Sequence, residues 1–451
     1  MEAAPPTSTG NSTRVGFKSA VAVVIGNMIG TSIYISVGYQ ALAGHSQQTI
    51  LLLWTVGALL AMAGALCYAE LAAAFPRSGG EYHFLNQAYP PMVGFLSGWI
   101  AMIAGFPIPI AIGALSLGQY LVVSFTGNIP GEGDLMVKGI ALAVIVIVTA
   151  MHSLTLRSAS RFHGFNTALK ILLLAVLVVG GFLAAPSPQA LPWSPQMNEW
   201  SLETISPFFV SLFYVLYAYA GWNSATYISG EINNPQRNVP RALLMGIGIV
   251  FVLYISLMAA FLRVTPGAEL AASQSAAPLV AATYMFGTNG GRVIGFCISL
   301  GMISFISGMV WAGPRISQRM GQDYRFLAPL GRTTQHGIPR NAILLQSVIA
   351  LVAVALFDDP SKLMVYVEFL LQISVFLTVL SVIILRVKRP NLPRPIKTWG
   401  YPITPIIFLI WTAFAMGISL KSRQTEAIHG LATLLAGMLI FVICKAEERA
   451  K

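Results

Sequence analysis

Twelve apolar runs recur along this 451-residue chain, at 16–42, 49–75, 88–125, 135–154, 164–185, 205–229, 240–264, 290–313, 341–357, 362–386, 402–420 and 427–444. Each approaches or exceeds the ~20 residues that a helix needs to cross a hydrocarbon core, and Gly, Pro or charged residues separate them. A soluble fold cannot bury that much continuous apolar surface. Composition agrees: 10% of residues are charged and 56% hydrophobic, against roughly 25% charged in soluble domains. A soluble enzyme, a disordered scaffold and a secreted disulfide module are excluded. The chain reads as an all-α membrane protein with twelve transmembrane helices.

The formal charge of +11 follows loop position. An even number of spans puts both termini on one side. Most of the 27 Lys and Arg then fall on that side, among them Arg157, Arg161, Arg315 to Arg340 and Arg386 to Lys397. Such an excess marks the cytoplasmic side, so the basic balance is a topology signal and nucleic acid is not an expected partner. Cys67, Cys297 and Cys444 are far apart, with neither metal-binding nor disulfide spacing. The six histidines, including His45, His83, His163 and His336, are dispersed. No Gly-rich phosphate loop is present, so no cofactor and no ATP-driven step are expected. Residues 1–15 are polar and rich in Pro, Ser and Thr, without the apolar core of a signal peptide. They read as a disordered cytoplasmic tail on a plasma-membrane protein, expected in a bacterial inner membrane.

Two spans do not read as plain helices. Span 1 carries Gly26-Asn27-Met28-Ile29-Gly30-Thr31-Ser32 at its midpoint, and span 6 carries Tyr217-Ala218-Tyr219-Ala220-Gly221-Trp222-Asn223-Ser224. Gly, Asn, Ser and Thr are poor helix formers and compete for backbone hydrogen bonds. In hydrocarbon, an interrupted helix survives only where its freed backbone groups line a cavity or are covered by protein. The alternative is close helix packing through small residues, which also describes Gly57 to Gly64 in span 2. Position favours the first reading. The interruptions occupy matching places in two five-span halves, residues 16–200 and 201–390, with spans 11 and 12 left in 391–451. That pattern points to an inverted-repeat transporter with a midplane site. Each break offers free N–H groups on one side and free carbonyls on the other, a match for an amino acid zwitterion.

Lys170 in span 5 and Glu368 in span 10 are the clear ionisable groups inside the spans. An intramembrane charge is a functional candidate by default. Lys170 has the alternative of snorkelling toward the edge near Arg161. Glu368 reads equally as a protonatable or substrate-facing carboxylate and as a wet residue near the outer vestibule. Together they form no triad or metal set, which argues against a membrane enzyme. Glu70, Arg77, Glu81 and Glu231 lie near span ends. They are expected to be solvated loop charges rather than a gate of ion pairs.

Four stretches resemble the amino acid–polyamine–organocation superfamily, and within it the L-type amino acid transporters and their bacterial homologues. They are GNMIGTSIY from Gly26, YAELAAAFPRSGGEYHFL from Tyr68, YAYAGWNSATYISGEINNPQRNVPRAL from Tyr217, and AGPRISQRMGQD from Ala312 continuing to GIPRNAILLQ at Gly337. The resemblance implies a five-plus-five inverted repeat with broken helices 1 and 6 and peripheral spans 11 and 12. It also implies that N–H groups at Thr31, Ser32 and Ile33 hold a substrate carboxylate. Carbonyls near Met28, Tyr217 and Ala220 would hold the ammonium, with Gly30 and Gly221 in the breaks. Tyr217 takes the place of an aromatic gate, and Asn223 follows the Gly-Trp pair that orients the break. Lys170 would stand where sodium-coupled relatives hold a cation, bridging Gly26 in span 1 to Ser304 or Ser307 in span 8. The chain departs from the family in having Ser32 where Gly is usual. Its span 3–4 loop, about Ser124 to Lys138, lacks the cysteine by which animal members bond a glycoprotein heavy chain. No such partner is expected. The implied function is secondary transport of neutral L-amino acids across the lipid bilayer, by exchange or proton-linked symport, with Met102 to Pro107 of span 3 suggesting a pocket for neutral side chains. Transport of cationic amino acids or polyamines, requiring Glu368 in the pocket, is the alternative within the fold. A channel and a non-transporting sensor are the alternatives of another class.

Overall fold

A computed structural model of the chain describes residues 15–131, 133–154, 159–183, 202–335 and 337–449. Arg157, His336 and most of the N-terminal tail lie outside these residues, and Arg161 and His163 lie outside the described side chains. Helices dominate the described residues, and a single isolated bridge between Val15 and Ile232 is the extended pairing among them. Nine of the described helices are long and apolar enough to cross a membrane, and three more apolar helices are shorter: Ala168–Leu183, Ser206–Tyr219 and Arg340–Leu356.

Both expected interruptions are breaks in the backbone. Span 1 is two helices, Phe17–Met28 and Ser32–Leu42, separated at Ile29 to Thr31. Span 6 runs from Leu202 to Tyr219 and resumes as a single turn at Ser224–Tyr227. Gly221, at φ +92°, makes the second break, and a Cβ there would stand 2.9 Å from the Asn27 carbonyl oxygen. Only glycine meets both conditions at once. Gly57 and Gly64 of span 2 pack instead: a Cβ at Gly57 would meet Val215 at 2.4 Å, and one at Gly64 would meet Trp222 at 3.1 Å.

Two spans differ from their expected course. Span 3 is Pro91–Ile100, a wide-turn stretch Ala101–Gly105, and Pro107–Thr126. Pro107 has no N–H to donate back into the helix, and Phe106 N–H reaches five residues back to the Ala101 carbonyl at 3.2 Å. Span 8 begins at Ala277, well before the expected 290, because a kink at Gly287 (φ 72°) joins two apolar helices in one element ending at Ala312.

Packing sorts the helices into two groups. Spans 1, 2, 6 and 7 rest largely on one another, and spans 3, 4, 8 and 9 form a second set, with span 3 against span 8 the most extensive seam. Span 10 packs on spans 6, 11 and 12.

Glu70 and Glu81 overturn the expectation of solvated loop charges. Glu70 accepts from Arg386 Nη2 at 2.6 Å and from the Thr398 N–H at 2.7 Å, and pairs with Arg394 Nε at 3.2 Å. Arg394 also donates to carbonyls of Leu385 and Arg389, closing the C-terminal end of Pro360–Lys388. Glu81 is buried and accepts from Tyr68, Asn223 and Tyr227. Arg77 and Glu231 are exposed, as expected.

Candidate substrate site

The two breaks face each other across a cavity of about 1340 Å³. It runs from Thr31, Ser32, Tyr217 and Glu368 to a mouth at Val15, Arg77, Glu231, Arg319 and Asp323. The opposite end is packed shut. A Cβ at Gly38 would collide with the Gln274 carbonyl oxygen at 1.9 Å. Tyr39 stacks at a tilt on Tyr214, ring centroids 5.7 Å apart, and donates to Asp359 at 3.0 Å.

The second half of span 1 starts without a side-chain cap, so its first N–H groups need another acceptor. Among the described residues, no acceptor takes the N–H of Thr31, Ser32 or Ile33. Thr31 and Ser32 line the cavity, whereas Ile33 is fully buried and outside the lining. Thr31 Oγ1 is likewise buried without a partner. The positive end of this helix therefore meets the cavity with its donors free.

The carbonyl side corrects one expectation. Met28 lines the cavity, but its carbonyl already accepts from Gly30 N–H at 2.8 Å and from the Tyr254 hydroxyl at 2.7 Å, which uses both acceptor positions. Tyr217 O accepts from Ala220 N–H at 3.1 Å. The carbonyls of Asn27, Tyr219 and Ala220 accept no hydrogen bond among the described residues, and all three residues line the cavity. These are the acceptors a cation would meet. Gly26, Gly30 and Gly221 line the same space.

Asn223 lines the cavity too, but its side-chain amide is engaged by Glu81. It therefore anchors the single turn after the break to the span 2–3 connection. Tyr217 is buried in the wall and faces Glu368 electrostatically.

Lys170 does not snorkel. It is 8% exposed and donates from Nζ to the Ile29 carbonyl at 3.0 Å and to the Gly26 carbonyl at 3.4 Å. A cation at the negative end of the first half of span 1 satisfies carbonyls that the break leaves free. On the span 8 side its neighbour is the Phe305 ring, 5.6 Å to the centroid. Ser304 and Ser307 are not the contacts. Ser304 Oγ is buried without a partner among the described residues, and Ser307 pairs with His152 Nε2 at 2.8 Å. A ring face meets the ammonium where a hydroxyl was expected.

Glu368 is 1% exposed and lines the cavity, so it is not a wet vestibule residue. Gln372, one turn along, donates to Oε1, while Oε2 has no partner among the described residues.

Sequence reasoning missed Tyr254. Its hydroxyl donates to Met28 O at 2.7 Å and lies 3.2 Å from Ala218 O, tying the two breaks together from span 7. A tyrosine in the middle of an otherwise apolar span was its available signal. Glu81 was missed as a buried acceptor because its loop position suggested solvent.

A family model described as "Amino acid permease" matches residues 15–443. The b(0,+)-type amino acid transporter 1 of Mus musculus is 28% identical over 95% of this chain and 87% of its own length. That of Homo sapiens is 27% identical over 98% of this chain and 90% of its own. The large neutral amino acids transporter small subunit 2 of Homo sapiens is 29% identical over 95% of this chain and 80% of its own. With broken helices around a cavity open at one end and a family match spanning nearly its whole length, the chain belongs to the amino acid permease family, and is a multi-pass membrane transporter of amino acids, not an enzyme.

Proposed function

We propose that the protein carries neutral L-amino acids across a bacterial plasma membrane by alternating access, as an exchanger or a proton-linked symporter. The observation that carries this reading is the pairing of free groups across the cavity. The N–H groups of Thr31 and Ser32 face it from one break, and the carbonyls of Asn27, Tyr219 and Ala220 from the two break ends. A carboxylate and an ammonium on one carbon match this arrangement, so the α-amino acid is held by backbone while its side chain extends toward Tyr217, Phe305 and span 10. Ser32 in place of glycine narrows the approach to the carboxylate site.

In this reading the helices make twelve crossings as a five-plus-five inverted repeat, with spans 11 and 12 peripheral and the mouth of the cavity cytoplasmic. Spans 1, 2, 6 and 7 rock against spans 3, 4, 8 and 9, a division the packing groups support. Lys170 holds the first half of span 1 in register with span 5 during that motion. The carrier works without a disulfide-linked heavy chain, for lack of a cysteine in the span 3–4 loop. A second reading, transport of cationic amino acids, is favoured by the position of Glu368 in the cavity wall.

The test is uptake of a labelled amino acid panel into proteoliposomes, with and without unlabelled substrate inside, at two external pH values. Trans-stimulated neutral uptake supports an exchanger, and acid-driven uptake into empty vesicles supports a symporter. Saturable binding without uptake would instead mark a sensor, and uptake without counterflow a channel.

A further inference from the structure

One carboxylate of the cavity wall has no partner to match its charge. Glu368 is 1% exposed, and its Oε2 has no hydrogen-bond partner among the described residues. Gln372 gives its amide N–H to Oε1 and leaves its own Oε1 buried and unpartnered. Residues four apart on a helix present to one side, and both line the cavity. The result is a pair of buried acceptors without donors in the wall of the substrate space.

Among the described residues, the surroundings supply no cation to it. Span 6 presents Tyr217 to Glu368. Other ionisable groups on elements packed against span 10 are engaged or exposed elsewhere, among them His429, exposed on span 12, and Lys445, over the Phe441 ring. On span 2, Glu70 binds Arg386 and Arg394, and Tyr68 donates to Glu81. On the span 2–3 helix, Tyr82 donates to Asp323. His83 there lies at the mouth, where burial and the charges of Arg77 and Arg319 hold its imidazole below the usual range and keep it neutral. On span 6, Tyr214 lies 3.2 Å from Arg423 Nη2, and in span 3 Tyr120 donates to Tyr34 O at 3.3 Å. Lys421 ends span 11, Glu426 pairs with Arg423 near the start of span 12, and Lys362 is exposed at the start of span 10 itself. Lys170 is engaged at the span 1 break. A bare carboxylate held there is strongly disfavoured, so its charge has to be met by something that arrives.

We propose that Glu368 is a shared carrier group that holds either a proton or the distal cation of a substrate side chain, so that one cavity takes neutral amino acids together with a proton and cationic amino acids without one. The proposal rests on the amino acid reading of the cavity and names the side-chain subsite within it. In both modes the Glu368 subsite is electrically neutral when loaded, which makes the two loaded forms alike to the surrounding hydrocarbon. The proton enters with the neutral substrate from the open side and leaves with it on the other.

The test uses the full-length protein in proteoliposomes, with labelled L-leucine and L-lysine across external pH values from acid to alkaline. In the wild type, leucine uptake should rise toward acid and lysine uptake toward alkaline pH. The concentration of lysine that halves leucine uptake should increase up to about tenfold per pH unit of acidification, since only the deprotonated fraction accepts it. Glu368→Gln should transport leucine without pH dependence and lose lysine transport. Glu368→Asp and His83→Gln should both keep the opposed trends. Parallel pH trends for the two substrates overturn the proposal. So do leucine uptake without any cationic uptake, opposed trends surviving in Glu368→Gln, or their loss in His83→Gln. The wild-type competition series decides the matter even if Glu368→Gln does not fold. Absence of all amino acid uptake and binding in the wild type would instead sink the amino acid reading itself.

Discussion

At the scale of the residue, the site is built from groups that the breaks set free. Lys170 fills two carbonyls at the end of the first half of span 1, Ile29 and Gly26. Lys170→Ala should leave both without a donor, at about 1–3 kcal/mol each for a buried group. A shift of only ~1.4 kcal/mol between conformers is tenfold in rate, so turnover in proteoliposomes should fall tenfold or more with the protein still folded. Wild-type turnover would mean that Lys170 is a packing residue. Ser32 lines the cavity beside the free N–H groups and is 3% exposed. Ser32→Gly should widen the tolerated substrate range in competition assays while leaving the melting temperature within a degree or two. An unchanged competition profile would show that the hydroxymethyl group does not border the substrate.

At the scale of the element, short helices are held by side chains rather than by their own length. The single turn Ser224–Tyr227 cannot persist alone, since helix nucleation is unfavourable. Glu81 fixes it by accepting from Asn223 before the turn and Tyr227 at its end, while Tyr68 ties the same carboxylate to span 2. Glu81→Ala would leave three donors without their acceptor, the buried Tyr68 hydroxyl at ~1–3 kcal/mol and the part-buried Asn223 and Tyr227 at less. The thermal midpoint in detergent should drop by several degrees, and less for Glu81→Gln, which keeps an acceptor. Equal midpoints for wild type and Glu81→Ala would show that the turn is held by packing alone. Arg394 does comparable work at the end of span 10, where it gathers the last carbonyls and Glu70 together.

At the scale of the whole molecule, the cavity opens on one side only. Ser224 lines it below the breaks, and Tyr39, Gly38 and Gln274 close the other side. In a background where Cys67, Cys297 and Cys444 are replaced, Ser224→Cys should react with a membrane-impermeant maleimide from the side that carries Arg77 and Asp323. In inside-out vesicles of the proposed orientation, labelling should be fast, and saturating substrate should slow it. Fast labelling in right-side-out vesicles would reverse the orientation. The two packing groups make such a switch economical, because spans 3, 4, 8 and 9 share their largest seams with each other.

The sequence by itself determined the membrane class, the helices and the places where two of them break. Long apolar runs and clusters of Gly, Asn, Ser and Thr carry that information locally, through transfer free energy and helix propensity. Thr31, Ser32, Tyr217 and Ala220 are named by resemblance to a transporter family and Glu368 by its charge inside a span, and all of them line the cavity. What a named group touches is a different matter, because partners come from spans hundreds of residues away. Lys170 meets Ile29 and the Phe305 ring rather than Ser304 or Ser307. The Met28 carbonyl is already occupied by Tyr254, and Glu81 is buried among donors from three segments. Hydrogen-bond saturation and burial are properties of the packed molecule. Only the tertiary structure could decide which polar groups hold the fold and which, like Oε2 of Glu368, have no partner among the described residues.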